Sequence, residues 1–288
     1  MPPDDESVKE MLAQLESPGP PVLYHHRLNL GSQAVRLLLV EKDLAWQSRV
    51  LDTATRAEHL MPWYLRLNPA GKLPTLVHRG RTLYTVPAIA AYLDEFIDDD
   101  APRWLDLAAT VPATALTYAG LGGPAGLLAR RALAKRGALF TDLAERHPAL
   151  ADDYAALAAA HQRLRAMLND PDALLAPTEA ALDKLETHLA DGRPYLAGPR
   201  FGIADAMWTA LLARLRTIGL YRAVVAPRPA VAAYAARMMA RPGFVTARIP
   251  IRVEARPWLV SWLRANAGLL LLPGLIVFLA GVWLALAG

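Results

Sequence analysis

Cysteine is absent from all 288 residues. That excludes disulfides, thiolate metal sites and every mechanism in which the protein's own sulfur is the nucleophile or enters a mixed disulfide. Charge of one sign is nearly cancelled by the other. Lys and Arg total 31 against 27 for Asp and Glu, a net +4, and no basic stripe interleaved with aromatics appears. Nucleic acid is therefore not an expected partner. The seven His show no paired metal spacing, so no metal is expected, and the doublet His25-His26 beside a strand end reads as solvated imidazoles. A basic signal-peptide start is lacking too; Asp4, Asp5 and Glu6 stand there instead, and no secretion signal is visible.

What the chain does have is one long uncharged run, the 24 residues from Ala265 to Gly288. As a helix it would extend about 36 Å at ~1.5 Å per residue, enough to cross a hydrocarbon core of ~30 Å. Pro273 is tolerable in such a helix. Trp258 and Trp262 sit where an interfacial aromatic belt would lie, and Arg248, Arg252, Arg256 and Arg264 flank the run on one side only. By the positive-inside rule the bulk of the chain stays cytoplasmic. The expectation is a single-pass tail anchor at 265–288 behind a basic juxtamembrane segment at 248–264, with the lipid bilayer as a partner. The alternative is a buried C-terminal helix, which rarely runs this long without a polar face.

The rest divides by turn chemistry. Val8, Met11, Leu12 and Leu15 have helical spacing within an N-terminal extension, residues 1–21, that ends in Ser17-Pro18-Gly19-Pro20-Pro21. Val22-Leu23-Tyr24 reads as a strand, and Gln33 to Val40 as a helix that Ser32 is placed to cap. Ser48 to Leu51 reads as a second strand, followed by a helix ending near Leu67. Asn68-Pro69-Ala70-Gly71 is a turn cluster. Lys72 to Val77 is a strand containing Pro74, Arg79-Gly80 a hairpin corner, Thr82-Leu83-Tyr84 the return strand, and Pro87 to Phe96 a helix. The order β-α-β-α-β-β-α is that of a thioredoxin-like domain, placed at 22–97. Asp98 to Pro102 reads as a linker. Beyond it no strand pattern appears, and Ala- and Leu-rich segments with Gly/Pro punctuation predict a helical bundle at 105–247. Arg130, Arg131, Lys135 and Arg136 form a local basic run, either a solvated helix face or a contact with anionic lipid.

Two stretches carry a family resemblance. The first is Trp63 to Leu93. The second is Tyr195-Leu196-Ala197-Gly198 followed by Phe201-Gly202-Ile203-Ala204-Asp205. Both resemble the glutathione transferase superfamily, whose second domain carries Tyr-Leu-x-Gly before a Phe-[Ser/Thr]-x-Ala-Asp helix start. Gly202 replaces the usual hydroxyl cap, and Asp205 is read as structural, bonding exposed N–H groups at the helix start. Within the superfamily, His59 to Asn68, the longer segment from Arg131 to Asn169 and the terminal apolar run resemble the tail-anchored ganglioside-induced differentiation-associated proteins.

The resemblance implies glutathione, or a related thiol, as co-substrate and an apolar electrophile as acceptor. A homodimer is among the partners it implies. Its thiol-activating position falls on Asn29, which cannot ionise but can donate a hydrogen bond; Ser32 is the alternative donor. Asn29 also reads as a plain turn residue and Ser32 as a helix cap. Lys72 resembles a residue near the glycine carboxylate of glutathione, or is simply solvated. Leu73-Pro74, expected cis, would present its backbone to the cysteinyl unit. The pair that usually holds the γ-glutamyl end, Glu/Asp-Ser, is Thr85-Val86 here. Losing a charged hydrogen bond of roughly 1.5–3 kcal/mol implies about ten- to a hundredfold weaker binding. Two functions are open: a membrane-anchored transferase or peroxidase-like enzyme, and a catalytically silent interaction or regulatory module of the same fold.

Overall fold

A computed structural model of the chain describes residue 13 and residues 19–53, 56–94, 99–120, 123–170 and 172–250. The helix expected at 4–16 and the tail anchor expected at 265–288 lie outside the described residues apart from Ala13. Among the described residues no helix is long and apolar enough to cross a membrane.

The first domain is a four-stranded sheet with helices on both faces. Strands β1 (Val22–His25), β2 (Gln47–Val50), β3 (Thr75–His78) and β4 (Arg81–Leu83) lie in the order β2-β1-β3-β4. β1 runs parallel to β2 and antiparallel to β3, with Leu23 opposite Leu76. Side chains alternate across a strand, and β1 uses both faces. Val22 and Tyr24 pack with Trp63, Tyr64 and Leu67, whereas Leu23 packs with Val35, Leu39 and Ile89. Helix α1 (Leu30–Glu41) and α3 (Val86–Leu93) cover one face; α2 (Pro62–Leu67), entered through a 3-10 turn at Glu58–Leu60, covers the other. The expected element order is present. Strand β3 begins at Thr75 rather than Lys72, directly after the cis Leu73-Pro74 peptide.

Among the described residues every regular element after the sheet is helical, and after α3 the α-helices are α4 (Ala101–Thr110), α5 (Ala113–Gly120), α6 (Gly123–Arg146), α7 (Ala151–Met167), α8 (Asp172–Leu189), α9 (Ile203–Thr217), α10 (Pro229–Met239) and α11 (Pro242–Thr246). The linker read at Asp98 to Pro102 is shorter than expected, since α4 already includes Ala101 and Pro102. Helix α9 is buried nearly all round, as a central core helix must be, and packs directly on α1. Its start is fixed by Asp205. One carboxylate oxygen accepts from Gly202 N (3.0 Å), the other from Leu196 N (3.0 Å) and from the Tyr234 hydroxyl (2.7 Å). Burial raises the pKa of Asp205, and these donors oppose the shift. Its role is structural, as expected.

The α6–α7 hairpin folds back on the sheet domain. Phe140, Leu143 and Tyr154 pack on Ala57, Leu60 and Leu65, and the Tyr154 hydroxyl donates to Leu60 O at 2.9 Å. In the basic run Arg130, Arg131 and Lys135 are exposed, while Arg136 donates to Thr53 O at 2.7 Å.

Candidate active site

The site forms where three segments meet at the start of α1. Asn29, not Ser32, is the N-cap of that helix: its Oδ1 accepts from Ser32 N at 2.8 Å. Both are cap-forming residues, but α1 begins at Leu30, one turn earlier than expected, which puts Ser32 inside the first turn and buries it. Ser32 Oγ donates to the same Asn29 Oδ1 at 2.9 Å and accepts from His26 N at 3.4 Å. Ser32 therefore directs its one proton to Asn29 Oδ1 in this structure. Two donors converging on one atom identify it as the oxygen, so the Asn29 NH₂ points elsewhere and is available from a half-buried residue.

The second segment is the Lys72-Leu73-Pro74 loop, and its setting was not legible in the sequence. Tyr64 donates to the Lys72 carbonyl at 2.6 Å, and Asn68 Nδ2 donates to it at 2.7 Å. Thr75 Oγ1 joins the same network, 2.8 Å from the Tyr64 hydroxyl and 3.1 Å from Asn68 Nδ2. Burial pushes the Tyr64 phenol far above its ordinary pKa, so it stays protonated as a donor. Asn68, expected only as a turn residue, is buried and organises the loop. The Lys72 side chain itself is exposed. The third segment is Thr85-Val86. Thr85 caps α3, its Oγ1 accepting from Ala88 N at 3.3 Å, and Pro87 contributes no N–H. What remains there for a carboxylate is the Thr85 hydroxyl proton and the Val86 N–H.

Gly31 is where the three segments touch. A Cβ at Gly31 would lie 3.0 Å from Val86 Cγ2, 3.1 Å from Pro74 Cδ and 3.5 Å from Leu73 O. The structure thus brings Asn29, Ser32, Leu73, Pro74 and Val86 together, with Thr85 beside them. On the far side of Gly31 a cleft of about 290 Å³ opens between the domains, lined by Leu30, Leu105, Val111, Leu164 and Met207 with Thr114 as a polar exception.

The histidine doublet departs from expectation. His25 is buried: Nε2 is 2.8 Å from Ser48 Oγ, the ring packs edge-on to Trp46, and burial lowers its pKa to about 4. His26 is half-buried, and Nδ1 accepts from Leu28 N at 3.3 Å. Its pKa is lowered chiefly by burial, with Asp52 opposing. The sequence showed the doublet but not that β1, as a central strand, carries His25 inward. Among the described residues no cluster of His, Asp or Glu could hold a metal ion.

Residues 32–95 match the family "Glutathione S-transferase, N-terminal domain" and residues 155–237 match "Glutathione S-transferase, C-terminal domain". The tetrachloro-p-hydroquinone reductive dehalogenase of Sphingobium chlorophenolicum is 33% identical over 79% of this chain and 95% of its own. The human ganglioside-induced differentiation-associated protein 1-like 1 is 34% identical over 73 residues, 25% of this chain and 20% of that protein, in agreement with the branch the sequence resembles. A glutathione transferase family member from Pseudomonas fluorescens pf-5, solved with two glutathione bound, superposes with a TM-score of 0.58 at 17% identity, covering 84% of this chain and 98% of that one. A relative 33% identical across almost its whole length, together with both domain matches, settles the family: this chain belongs to the glutathione S-transferases.

Proposed function

We propose that the chain is a glutathione-dependent transferase acting on apolar electrophiles, with glutathione bound weakly. The observation that supports this most is a juxtaposition. The free Asn29 amide and the Leu73-Pro74 backbone edge flank Gly31, and the apolar cleft begins at the same residue. A thiolate beside Asn29 would face an acceptor in that cleft. Its sulfur forms a bond to the electrophilic carbon, the leaving group departs with its electron pair, and the thiol proton goes to solvent. With a peroxide as acceptor, two thiols give a disulfide, an alcohol and water. The weakness follows from Thr85-Val86, which offers a hydroxyl and an N–H but nothing acidic for the γ-glutamyl ammonium.

Calorimetry of the full chain with glutathione, paired with product analysis on an activated aryl halide, tests this. Weak saturable heat and a thioether product are expected; no heat and no product would refute it. The second reading, a silent interaction module, is favoured by the same Thr85-Val86 pair. It would gain if binding stayed absent even after an acid and a hydroxyl were restored there. For the uncharged run at 265–288 we propose a tail anchor that holds the enzyme at a bilayer, a source of apolar acceptors. Resistance of the full chain to carbonate extraction is the expected result, and recovery in the soluble fraction without detergent would overturn it.

A further inference from the structure

Two guanidinium groups are buried beside the Asn29 loop, and neither meets a carboxylate among the described residues. Arg214 projects from α9 and is 8% exposed. Its Nη1 donates to Thr117 Oγ1 at 3.0 Å; Nη2 donates to Gln33 Oε1 at 3.3 Å and to the Leu28 carbonyl. Arg36, on α1 and 4% exposed, donates from Nη2 to Arg27 O at 3.3 Å, and its Nε has no partner. Two other arginines that join separate parts of the molecule are paired with acids, Arg241 with Glu41 and Arg228 with Asp183. A buried cation without a counter-charge is strongly disfavoured unless an anion visits it. Burial lowers both guanidinium pKa values to about 10, which leaves them charged at neutral pH.

The accepting carbonyls belong to Arg27 and Leu28, the two residues before Asn29. We propose that Arg214 and Arg36 supply the positive field that lowers the pKa of the co-substrate thiol at this site. The inference rests on the proposed function. It explains how thiolate could form where Asn29 brings a hydrogen bond but no charge and Ser32 directs its proton to Asn29. A unit charge placed about 8 Å from a thiol, at an effective dielectric constant of about 20, would favour thiolate over thiol by roughly thirtyfold, about 1.5 pH units. The groups around the pair are His25 at the end of β1, His26 and Arg27 on the loop, and Arg248 beyond α11, with Asp52 after β2 acting on His26. Asp52 alone among them is negative, and it has interactions of its own. Arg214 and Arg36 touch no reacting atom, so they are positioning residues acting through the loop and through space.

The test uses the full chain with Arg214→Gln, Arg214→Lys and Arg36→Gln. One readout is the pH profile of kcat for conjugation at saturating glutathione, which reports groups in the bound complex. The other is the NMR titration of His26 without any thiol, since both arginines hold its pKa down. Arg214→Gln should move the kinetic pKa up by about one unit and raise the His26 titration, because removing a neighbouring cation eases protonation. Arg214→Lys should leave both near wild type. A folded Arg214→Gln protein with both readouts unchanged overturns the inference, as does a Lys variant that shifts as far as the Gln one. Should Arg214→Gln fail to fold, Arg36→Gln is judged by the same two criteria. A wild-type protein that neither binds nor conjugates glutathione defeats the proposed function and the thiol role with it. That failure is distinguishable, because the His26 shift would persist.

Discussion

Gly31→Ala puts the assembly of the site to its sharpest test. In an open helix this exchange stabilises by about 0.5–1 kcal/mol, because alanine loses less backbone freedom than glycine on folding. Position 31 is not open. The new methyl would stand 3.0 Å from Val86 Cγ2 and 3.1 Å from Pro74 Cδ, several tenths of an ångström inside the ~3.5–4.0 Å optimum for carbon pairs. Pro74 cannot yield by rotation, since it is a ring in a loop held from behind by Tyr64 and Asn68 at the Lys72 carbonyl. Val86 and the start of α3 must give instead. Overpacking of this kind costs about 1–3 kcal/mol. Set against the propensity gain, the net destabilisation is up to about 2.5 kcal/mol by urea unfolding, and glutathione affinity falls about tenfold by calorimetry as Val86 N–H is displaced. The double variant Gly31→Ala/Val86→Ala should be more stable than the sum of the two single changes by about 1 kcal/mol, because the nearest clashing methyl is gone. A single variant more stable than wild type, with unchanged binding, would refute the packing argument and with it the close approach of the three segments.

Three further outcomes follow from the same geometry. Thr85→Glu with Val86→Ser should tighten glutathione binding about tenfold or more by calorimetry, and Asn29→Ala in that background should lower turnover. Tyr234→Phe takes one of three side-chain and backbone donors from buried Asp205 and should cost about 1–3 kcal/mol, read as a drop in Tm. His25 has a folded pKa of about 4 against an ordinary 6.5, so the unfolded chain binds the extra proton between those values. The His25 contribution to stability should be intact above pH 6.5 and decline by up to about 1.4 kcal/mol per unit as pH falls toward 4, and His25→Gln should reduce the overall slope in denaturant titrations at pH 7 and 5.

Much of the fold could be read because its punctuation is local. Arg79-Gly80 closes a hairpin with both residues at positive φ, and Gly202 followed by Asp205 starts α9 as the sequence indicated. The cap of α1 could not be chosen locally. Asn29 and Ser32 are both good capping residues three positions apart, and only the packing of Gly31 on Pro74 and Val86 fixes which one lies outside the helix. Asn68 had the look of a turn residue, and it is one: its Oδ1 accepts from Ala70 N at 3.1 Å. Its second role, holding the Lys72 carbonyl together with Tyr64, requires contacts that no spacing encodes. Arg214 was least legible. In the sequence it is a basic residue in the last turn of a helix, where solvation and the helix dipole suffice as explanation. Its burial arises because α9 runs through the centre of the molecule and meets a loop that lies 186 residues earlier.

The absence of cysteine bounds the chemistry further. Every thiolate in the proposed reaction must arrive with the co-substrate, since the chain has no thiol. Conjugation consumes one: a carbon–sulfur bond forms, the leaving group departs with its electron pair, and a thioether is the product. Reductive removal of a halogen from an aromatic ring consumes two. The second thiolate attacks the thioether sulfur, a disulfide forms, and the carbon released takes a proton from solvent. In a protein with a suitably placed cysteine the second sulfur could be its own. Here Gly31 in the first turn of α1 is closed to a side chain by Pro74 and Val86, and the neighbouring positions are held by Asn29 and Ser32, neither of which carries sulfur. On the proposed reading a second thiol would have to enter from solution, beside an acceptor seated in a cleft lined mainly by apolar side chains.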